Sequence, residues 1–137
     1  MSTGQRTSVD VVQGIYEAVE RGDLDEIIAA LDEDVEWVEP EGGTYGGTYH
    51  GPDEVMENLF TELGGEWKEF EIEQDRFIVD GHTVIALVTH CGIQAESGQR
   101  FEAPMADVWE VVNGRVIRFH HYVGSINYVN ARTNDGE

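Results

Sequence analysis

The chain has 137 residues, of which 8 are Lys or Arg and 28 are Asp or Glu, so its formal net charge at pH 7 is −20. This length fits one domain that can bury a core, and a hydrophobic content of 40% argues against a disordered chain. So few basic residues exclude the positive surface with which proteins bind nucleic acids or anionic membranes.

The excess of acidic residues favours an origin in a high-salt cytoplasm, because carboxylates hold water and cations while salt screens their mutual repulsion. Lys68 is the single lysine, which strengthens this interpretation. An ordinary acidic protein from a low-salt organism is the alternative.

We expect the protein to lose stability when salt is removed, because unscreened carboxylates repel one another. Thermal unfolding in dilute and in multimolar KCl measures this effect. A melting temperature that is the same in both solutions would contradict a high-salt origin.

The single cysteine, Cys91, excludes an internal disulfide and a cysteine-rich zinc site. The sequence contains no apolar stretch near the roughly 20 residues that span a bilayer, and its N-terminus lacks the apolar region of a signal peptide. We therefore expect a cytoplasmic protein with one domain over residues 1–137, a core at about 8–130 and a frayed tail at 131–137.

The first half of the chain reads as three helices and a short strand. Apolar residues at helical spacing predict a helix over 8–21 and a second short helix that follows Asp23 and runs through Leu31. Residues 34–40 predict a short strand. The glycine-rich segment 41–51 predicts an irregular loop, and it lacks the Gly-Lys-Ser/Thr of a phosphate-binding loop. Gly51-Pro52 then opens the third helix.

After residue 65 the apolar period changes from 3.6 to 2 and predicts about four long strands, with Asn113-Gly114 as a strong hairpin turn. No alternation of strands and helices appears, which argues against a parallel sheet. The predicted fold is α+β: three N-terminal helices on one face of a strongly curved antiparallel sheet, with a pocket at one open end. Residues 1–75 carry 18 of the 20 units of net negative charge, which we interpret as a layer of surface helices.

Three segments carry a resemblance to a known family: VVQGIYEAVERGDLDEIIAALDEDVEW, YHGPDEVMENLF and ESGQRFEAPMADVWEVVNGRVIRFHHYV. They resemble the SnoaL-like and ketosteroid-isomerase-like group of the nuclear transport factor two superfamily. The resemblance implies a cone-shaped, cystatin-like roll that forms a homodimer through the outer sheet face. It also implies chemistry without a cofactor, as in isomerases, polyketide cyclases, epoxide hydrolases and dehydratases, although some members only bind ligands.

The chain departs from the family pattern at two positions. Relatives with a similar last strand usually carry an Asp where this chain has Gly124, and they often place a His where it has Asp107. Catalytic roles therefore do not transfer by position alone at these two sites.

Two adjacent histidines in the last predicted strand are the first candidates for the chemistry. Neighbours on a strand face opposite ways, so only one of His120 and His121 can enter the cone. Strict alternation places His121 on the more apolar face, with Ile117, Phe119 and Val123; Val116, Arg118, His120 and Tyr122 share the opposite face. A bulge would reverse this assignment. His121 is thus a candidate general acid or base.

Asp107 is the candidate acid, since it lies between apolar residues and would point inward with Met105 and Trp109. Burial would raise its pKa, which suits either proton abstraction beside a carbonyl or a protonated hydrogen-bond donor. Counting about the Asn113-Gly114 turn places Asp107 opposite His120 or His121. The alternative is a surface acid in an acid-rich protein.

The remaining candidates complete a catalytic set and a pocket wall. His90 lies in a strand with two apolar faces, so its side stays undecided. Tyr122, or His90 if it faces inward, would donate a hydrogen bond to a developing oxyanion. The predicted ligand pocket consists of Trp37, Tyr49, His50, Met56, Phe60, Met105, Trp109, Phe119 and His120. No metal site is predicted, because no His-x-His or Glu-x-x-His spacing occurs.

These residues predict a small enzyme of the isomerase, cyclase or hydratase type, acting on a small apolar carbonyl or epoxide compound. Asp107 or His121 would move the proton. The alternative is a non-catalytic module of the same fold that binds a small molecule or mediates dimerisation.

Overall fold

The computed structural model describes residues 7–40, 46–57 and 67–123, with the side chains of Trp67 and Val123 excepted. The elements in chain order are α1 (Ser8–Arg21), α2 (Leu24–Ala29), β1 (Leu31–Glu39), β2 (Gly47–His50), α3 (Gly51–Val55), β3 (Trp67–Asp80), β4 (Thr83–Gln94), β5 (Arg100–Val112) and β6 (Arg115–Val123). Within these ranges no helix has the length and apolar character needed to cross a membrane. The α+β prediction is confirmed.

The helices form close to where the sequence predicts them. Thr7 caps α1 through its side chain, and Gly22 ends that helix in the left-handed region at φ 72°. The side chain of Asp23 caps α2 as expected. The prediction that the helix continues through Leu31 is wrong, because Leu31 is already the first residue of β1.

One short strand lies within the segment predicted as an irregular loop. Residues Gly47–His50 form β2, which pairs antiparallel with β1 so that Tyr49 lies opposite Trp37. The glycines hid this strand from sequence analysis, since glycine is depleted in strands. Residues 41–45 of the same segment lie outside the described ranges, as do 58–66 and the predicted frayed tail.

The six strands form one open sheet in the order β2-β1-β6-β5-β4-β3. Neighbouring strands are antiparallel except β1 and β6, which are parallel. The prediction of a purely antiparallel sheet is therefore wrong at this one pair. It failed because β1 and β6 are joined by most of the chain, so no compact strand-helix-strand unit marks their pairing in the sequence.

The core lies between the inner face of the sheet and α1, which packs against β3, β4 and β5. Buried residues of α1 include Val11, Val12, Ile15 and Tyr16. They meet alternate residues of β4 and β5, which makes that sheet face the inner one. α3 packs at the other end of the sheet, against β1 and β2. The inner-face side chains at the centre of the sheet, on β4, β5 and β6, are consequently shielded from bulk water.

A register shift between Glu110 and Val111 changes which residues of β6 point inward. Val116 is buried and Ile117 is exposed, the reverse of strict alternation, whereas Phe119 and His121 are buried as predicted. The inward assignment of Ile117 is therefore wrong. The reason is a local irregularity of the pairing that no apolar pattern reveals.

The acidic residues are not confined to a helical layer. The first half of the chain also contains β1, β2 and part of β3, and exposed acids such as Glu69, Glu71, Glu73 and Asp75 lie on β3 itself. The interpretation of the charged half as surface helices is wrong in this respect, because an edge strand also presents a solvated face.

Candidate functional site

Three polar side chains lie together on the inner face of the sheet, one from each of three successive strands. His90 comes from β4, Asp107 from β5 and His121 from β6, and Asp107 and His121 are direct cross-strand neighbours. Their exposed fractions are 8%, 3% and 4%. The prediction that Asp107 points inward with Met105 and Trp109 matches this geometry, since all three are buried.

Asp107 is bound through both of its carboxylate oxygens. Its Oδ1 lies 2.5 Å from Nδ1 of His121, and its Oδ2 accepts a hydrogen bond of 2.6 Å from the hydroxyl of Tyr16. The indole Nε1 of Trp109 in turn donates to the Tyr16 hydroxyl oxygen at 3.0 Å. The four side chains therefore form one buried hydrogen-bonded chain that ends at the imidazole of His121.

The surroundings keep Asp107 ionised. Burial by itself raises the pKa of Asp107, but the hydrogen bond and positive charge of His121, the charge of His90 and the hydrogen bond of Tyr16 outweigh it and leave that pKa below its ordinary value. The expected raised pKa is therefore wrong. The lowered pKa favours a carboxylate at neutral pH over a protonated hydrogen-bond donor.

Tyr16 is a member of the site that the sequence did not reveal. Burial, together with the negative charge of Asp107, raises the pKa of Tyr16 well above 10, so its hydroxyl remains a neutral donor. The helical spacing of apolar residues already explains Tyr16 as a core residue of α1, so the sequence offered no reason to assign it to the site. The only signal that could have found it is its hydroxyl group, since a buried tyrosine generally needs a polar partner.

His90, whose side the sequence left undecided, faces inward. It lies on the same face of β4 as the buried Val84, Ala86 and Val88. Its ring centroid is 5.3 Å from that of His121 and also 5.3 Å from that of Phe70, which meets it edge-on at 89°. The site thus contains two imidazoles beside one carboxylate.

Asp107, His90 and His121 each offer a ligand atom for a metal ion, and these atoms lie within 4.8 Å of one another. The argument that sequence spacing excludes such a group is therefore wrong, because the sheet pairs residues that are far apart in the chain. Two imidazoles and a carboxylate are a donor set that suits Zn²⁺ or Fe²⁺. In this arrangement, however, both oxygens of Asp107 are bound to Tyr16 and His121, which favours a hydrogen-bonded pair over an ion.

Aromatic side chains form the wall beside the polar group. The Trp37 ring stacks on Phe119 at 4.0 Å, and Trp109 lies 4.5 Å from Phe119. The Phe119 ring is 6.1 Å from that of His121 and nearly parallel to it. The predicted pocket residues Trp37, Met105, Trp109 and Phe119 are all buried on this side of the sheet.

Several other predicted site residues lie elsewhere. Tyr122 is 51% exposed and stacks on His120, so both belong to the outer face; their assignments as oxyanion donor and pocket residue are wrong. They alternate with His121, which faces inward. The pKa of His120 is lowered by partial burial and by Arg118 and His121.

The loop-side candidates differ in their burial. His50 is exposed, which contradicts its assignment to the pocket wall, and its backbone N–H donates to Glu54. Tyr49 and Met56 are half-buried. Phe60 lies outside the described residues.

A second buried carboxylate also escaped sequence analysis. Glu39 is buried at the end of β1, and its Oε2 accepts a hydrogen bond of 2.9 Å from Trp37 Nε1. The sequence places Glu39 in an acid-rich segment, where a solvated role is the usual one. Only the tertiary structure shows that its strand position faces the core.

An open cavity of about 660 Å³ lies at the far ends of β3, β4 and β5. It is lined by Phe70, Cys91, Gly92, Ile93, Phe101 and Arg100 with Glu69, Glu71 and Glu102. None of the predicted site residues lines it. Phe70 lines the cavity and also meets the ring of His90, so the cavity borders the cluster of His90, Asp107 and His121.

Comparisons with known proteins agree with the fold and the segments described above. A model of the SnoaL-like domain matches residues 12–119. No curated protein matches the chain.

Among solved structures, a nuclear transport factor two-like protein from Burkholderia thailandensis is 31% identical, has a TM-score of 0.84 and covers 92% of this chain and 95% of its own. One of unknown function from Burkholderia pseudomallei is 29% identical, with the same TM-score and with 92% and 97% covered. A protein from Xanthomonas campestris with the provisional name polyketide cyclase is 21% identical, with a TM-score of 0.79 and 93% and 96% covered. The family model spans most of the length of the present chain, and the chain therefore belongs to the SnoaL-like domain family.

Proposed function

We propose that this protein is a small enzyme that performs acid–base chemistry without a cofactor on an apolar carbonyl or epoxide compound. The observation that carries the proposal is the buried contact of 2.5 Å between Asp107 and His121. A histidine whose Nδ1–H is held by a carboxylate has Nε2 as its basic nitrogen, and this is the arrangement with which enzymes orient a general base.

In the proposed reaction on a ketone, Nε2 of His121 accepts a proton from the carbon beside the carbonyl, and the electron pair of the broken C–H bond forms an enolate. In the reaction on an epoxide, Nε2 accepts a proton from a water molecule whose oxygen attacks a ring carbon; the C–O bond of the ring breaks, and the imidazolium returns the proton to the released alkoxide oxygen. The imidazolium that forms is stabilised by the negative charge of Asp107, which itself keeps no proton. For an isomerisation the same nitrogen returns the proton to a different carbon atom. The aromatic wall of Trp37, Trp109 and Phe119 supports an apolar substrate.

The different positions of two neighbouring histidines on β6 support the assignment of His121 as the base. His121 is buried beside Asp107, whereas His120 stacks on Tyr122 on the outer face. The pair therefore supplies a test residue and a matched control of the same chemical type at adjacent positions.

We expect the wild-type protein to accelerate exchange of the α-hydrogens of an apolar ketone such as 2-tetralone in D₂O, followed by proton NMR. Hydrolysis of styrene oxide tests the epoxide class. His121→Ala should lower the rate of the accepted substrate about 10²- to 10⁴-fold, which is the usual contribution of a general base. His120→Ala should leave the rate within about twofold. Equal rates for wild type and His121→Ala would contradict the proposal.

A ligand-binding module remains the second candidate, because Trp37 and Phe119 stack so closely that they fill part of the inner face themselves. This candidate predicts binding of apolar compounds without turnover. Titration of the same ketones, followed by tryptophan fluorescence, separates the two: saturable binding with exchange at the buffer rate favours the module.

A further inference from the structure

Tyr16 reaches from α1 to the carboxylate of Asp107 on β5, 91 residues along the chain. We propose that Tyr16, itself held by Trp109, is a positioning residue that locks the Asp107 carboxylate and thereby fixes which nitrogen of His121 carries the proton. The inference rests on the proposed function of His121 as a base. In this inference Tyr16, a residue of α1, orients the carboxylate of Asp107 on β5.

The directions of the hydrogen bonds in the chain follow from the indole of Trp109 and from the ionised state of Asp107. Trp109 Nε1 is a donor only, so the Tyr16 oxygen must accept at that contact. The single hydrogen of the Tyr16 hydroxyl is then directed to Oδ2 of Asp107. An ionised Asp107 can only accept, so Nδ1 of His121 must be the donor to Oδ1. The neutral ring therefore carries its proton on Nδ1, and Nε2 is its basic atom.

Tyr16 supplies a constraint that His121 alone cannot. The terminal torsion of an aspartate is soft, so a carboxylate with a single partner can rotate about it. A second hydrogen bond to the other oxygen removes that freedom. Because Tyr16, Asp107, Trp109 and His121 are all buried, water is poorly placed to substitute for a lost donor.

The charges around His121 are consistent with this assignment. Among the described residues, the titratable groups that face the inner side near it are Asp107 from β5, Tyr16 from α1, His90 from β4 and the buried Glu39 from β1. Tyr16 stays neutral because its pKa is raised by burial and by Asp107. The hydrogen bond from Tyr16 is among the influences that lower the pKa of Asp107.

The same geometry removes Tyr16 from direct contact with the reaction. A tyrosine whose only hydrogen is donated to Asp107 has none to offer a substrate oxyanion. Tyr16 therefore acts through Asp107, and its substitution should change the properties of the Asp107–His121 pair itself, in the absence of any substrate.

The test is Tyr16→Phe, which keeps the ring and removes the hydroxyl. Carbon-13 NMR of labelled aspartate carboxyl groups follows the pKa of Asp107, and nitrogen-15 NMR of the histidine rings reports the tautomer of His121. We expect the pKa of Asp107 to rise by about one unit, the shift expected when one hydrogen bond to a charged group is lost. The Nδ1–H form of His121 should lose population to the Nε2–H form. Tyr122→Phe, the same change on the outer face, should alter neither signal.

Unchanged Asp107 and His121 signals in folded Tyr16→Phe would overturn the inference and leave Tyr16 with a packing role only. If Tyr16→Phe does not fold, Trp109→Phe removes the donor to Tyr16 while keeping its hydroxyl, and a smaller shift of Asp107 in the same direction is expected; no shift overturns the inference. Because these measurements need no substrate, they are independent of turnover. Altered signals with full activity in His121→Ala would refute only the proposed function.

Discussion

Asp107→Asn is expected to lower the rate of the proposed proton transfer by about 10³- to 10⁴-fold, near the largest effects known for the orienting acid of a carboxylate–histidine pair. The amide retains the size of the carboxylate but carries no charge with which to stabilise the imidazolium of His121. Its NH₂ group can also donate to Nδ1, which would place the ring proton on Nε2, the atom that must be basic. The measurement is kcat/KM for the ketone or epoxide that the wild type accepts.

The matched control for Asp107→Asn is Glu110→Gln, the same neutralisation three residues along β5. Glu110 lies where β5 pairs with Arg118, away from the hydrogen-bonded chain of Tyr16, Asp107 and His121. We expect its kcat/KM to stay within about threefold of wild type, since Glu110 is half-buried on the face of β5 opposite to Asp107 and outside the hydrogen-bonded chain. An Asp107→Asn protein with wild-type kcat/KM would exclude Asp107 from the mechanism.

Asp107→Asn should also change how the stability of the protein depends on pH, which is a measurement independent of turnover. The folded pKa of Asp107 is below its unfolded value of about 3.9, so the folded state gains stability from its charge above that pH. This gain disappears as the pH falls through the folded pKa. The difference in unfolding free energy between wild type and Asp107→Asn should therefore shrink as the pH falls below about 4. A difference that does not depend on pH would contradict an ionised Asp107.

Trp37→Ala is expected to cost about 3–5 kcal/mol of unfolding free energy, the range for deletion of a buried aromatic side chain. The Trp37 ring is buried, stacks on Phe119 and meets Trp109 edge-on at 5.8 Å. Its removal also deletes the indole donor to the buried carboxylate of Glu39, which adds to the loss. Urea unfolding followed by circular dichroism measures the change.

Two further variants separate the loss of the buried ring from the loss of its hydrogen-bond donor and provide a control on the outer face. Trp37→Phe keeps an aromatic ring and loses the donor, so we expect a smaller loss of about 1–3 kcal/mol. Tyr122→Ala removes a large ring from the outer face, where half of it is exposed, and should cost under about 1 kcal/mol. A loss for Trp37→Ala as small as that for Tyr122→Ala would show that the aromatic wall does not support the inner face.

Local patterns were sufficient for the elements and for much of the site. Helical spacing and the Asn113-Gly114 turn predicted α1 and the β5–β6 hairpin, because these depend on neighbours in the sequence. Counting about that turn brought Asp107 opposite the paired histidines, and the apolar neighbours of His121 indicated its inward side. A hairpin register depends on its turn, so this part of the site could be predicted without a tertiary structure.

Other features depend on contacts between distant parts of the chain. The parallel pairing of β1 with β6 and the register shift before Val111 left no trace in the apolar pattern, and the shift reversed Val116 and Ile117. Tyr122 was assigned to the chemistry although its alternation with His121 places it outside. Tyr16 was overlooked because its spacing satisfied the core of α1.

The sequence by itself determined that the net charge of −20 is concentrated before residue 76. It also determined which residue types are available to the site and that Asp107 and His121 can meet across one hairpin. What only the tertiary structure decided is their chemical state. Asp107 is ionised because α1 brings Tyr16 against one oxygen while β6 brings His121 against the other. The pKa of a buried acid depends on the groups that surround it in space, and those groups are here 91 residues before it and 14 residues after it in the chain.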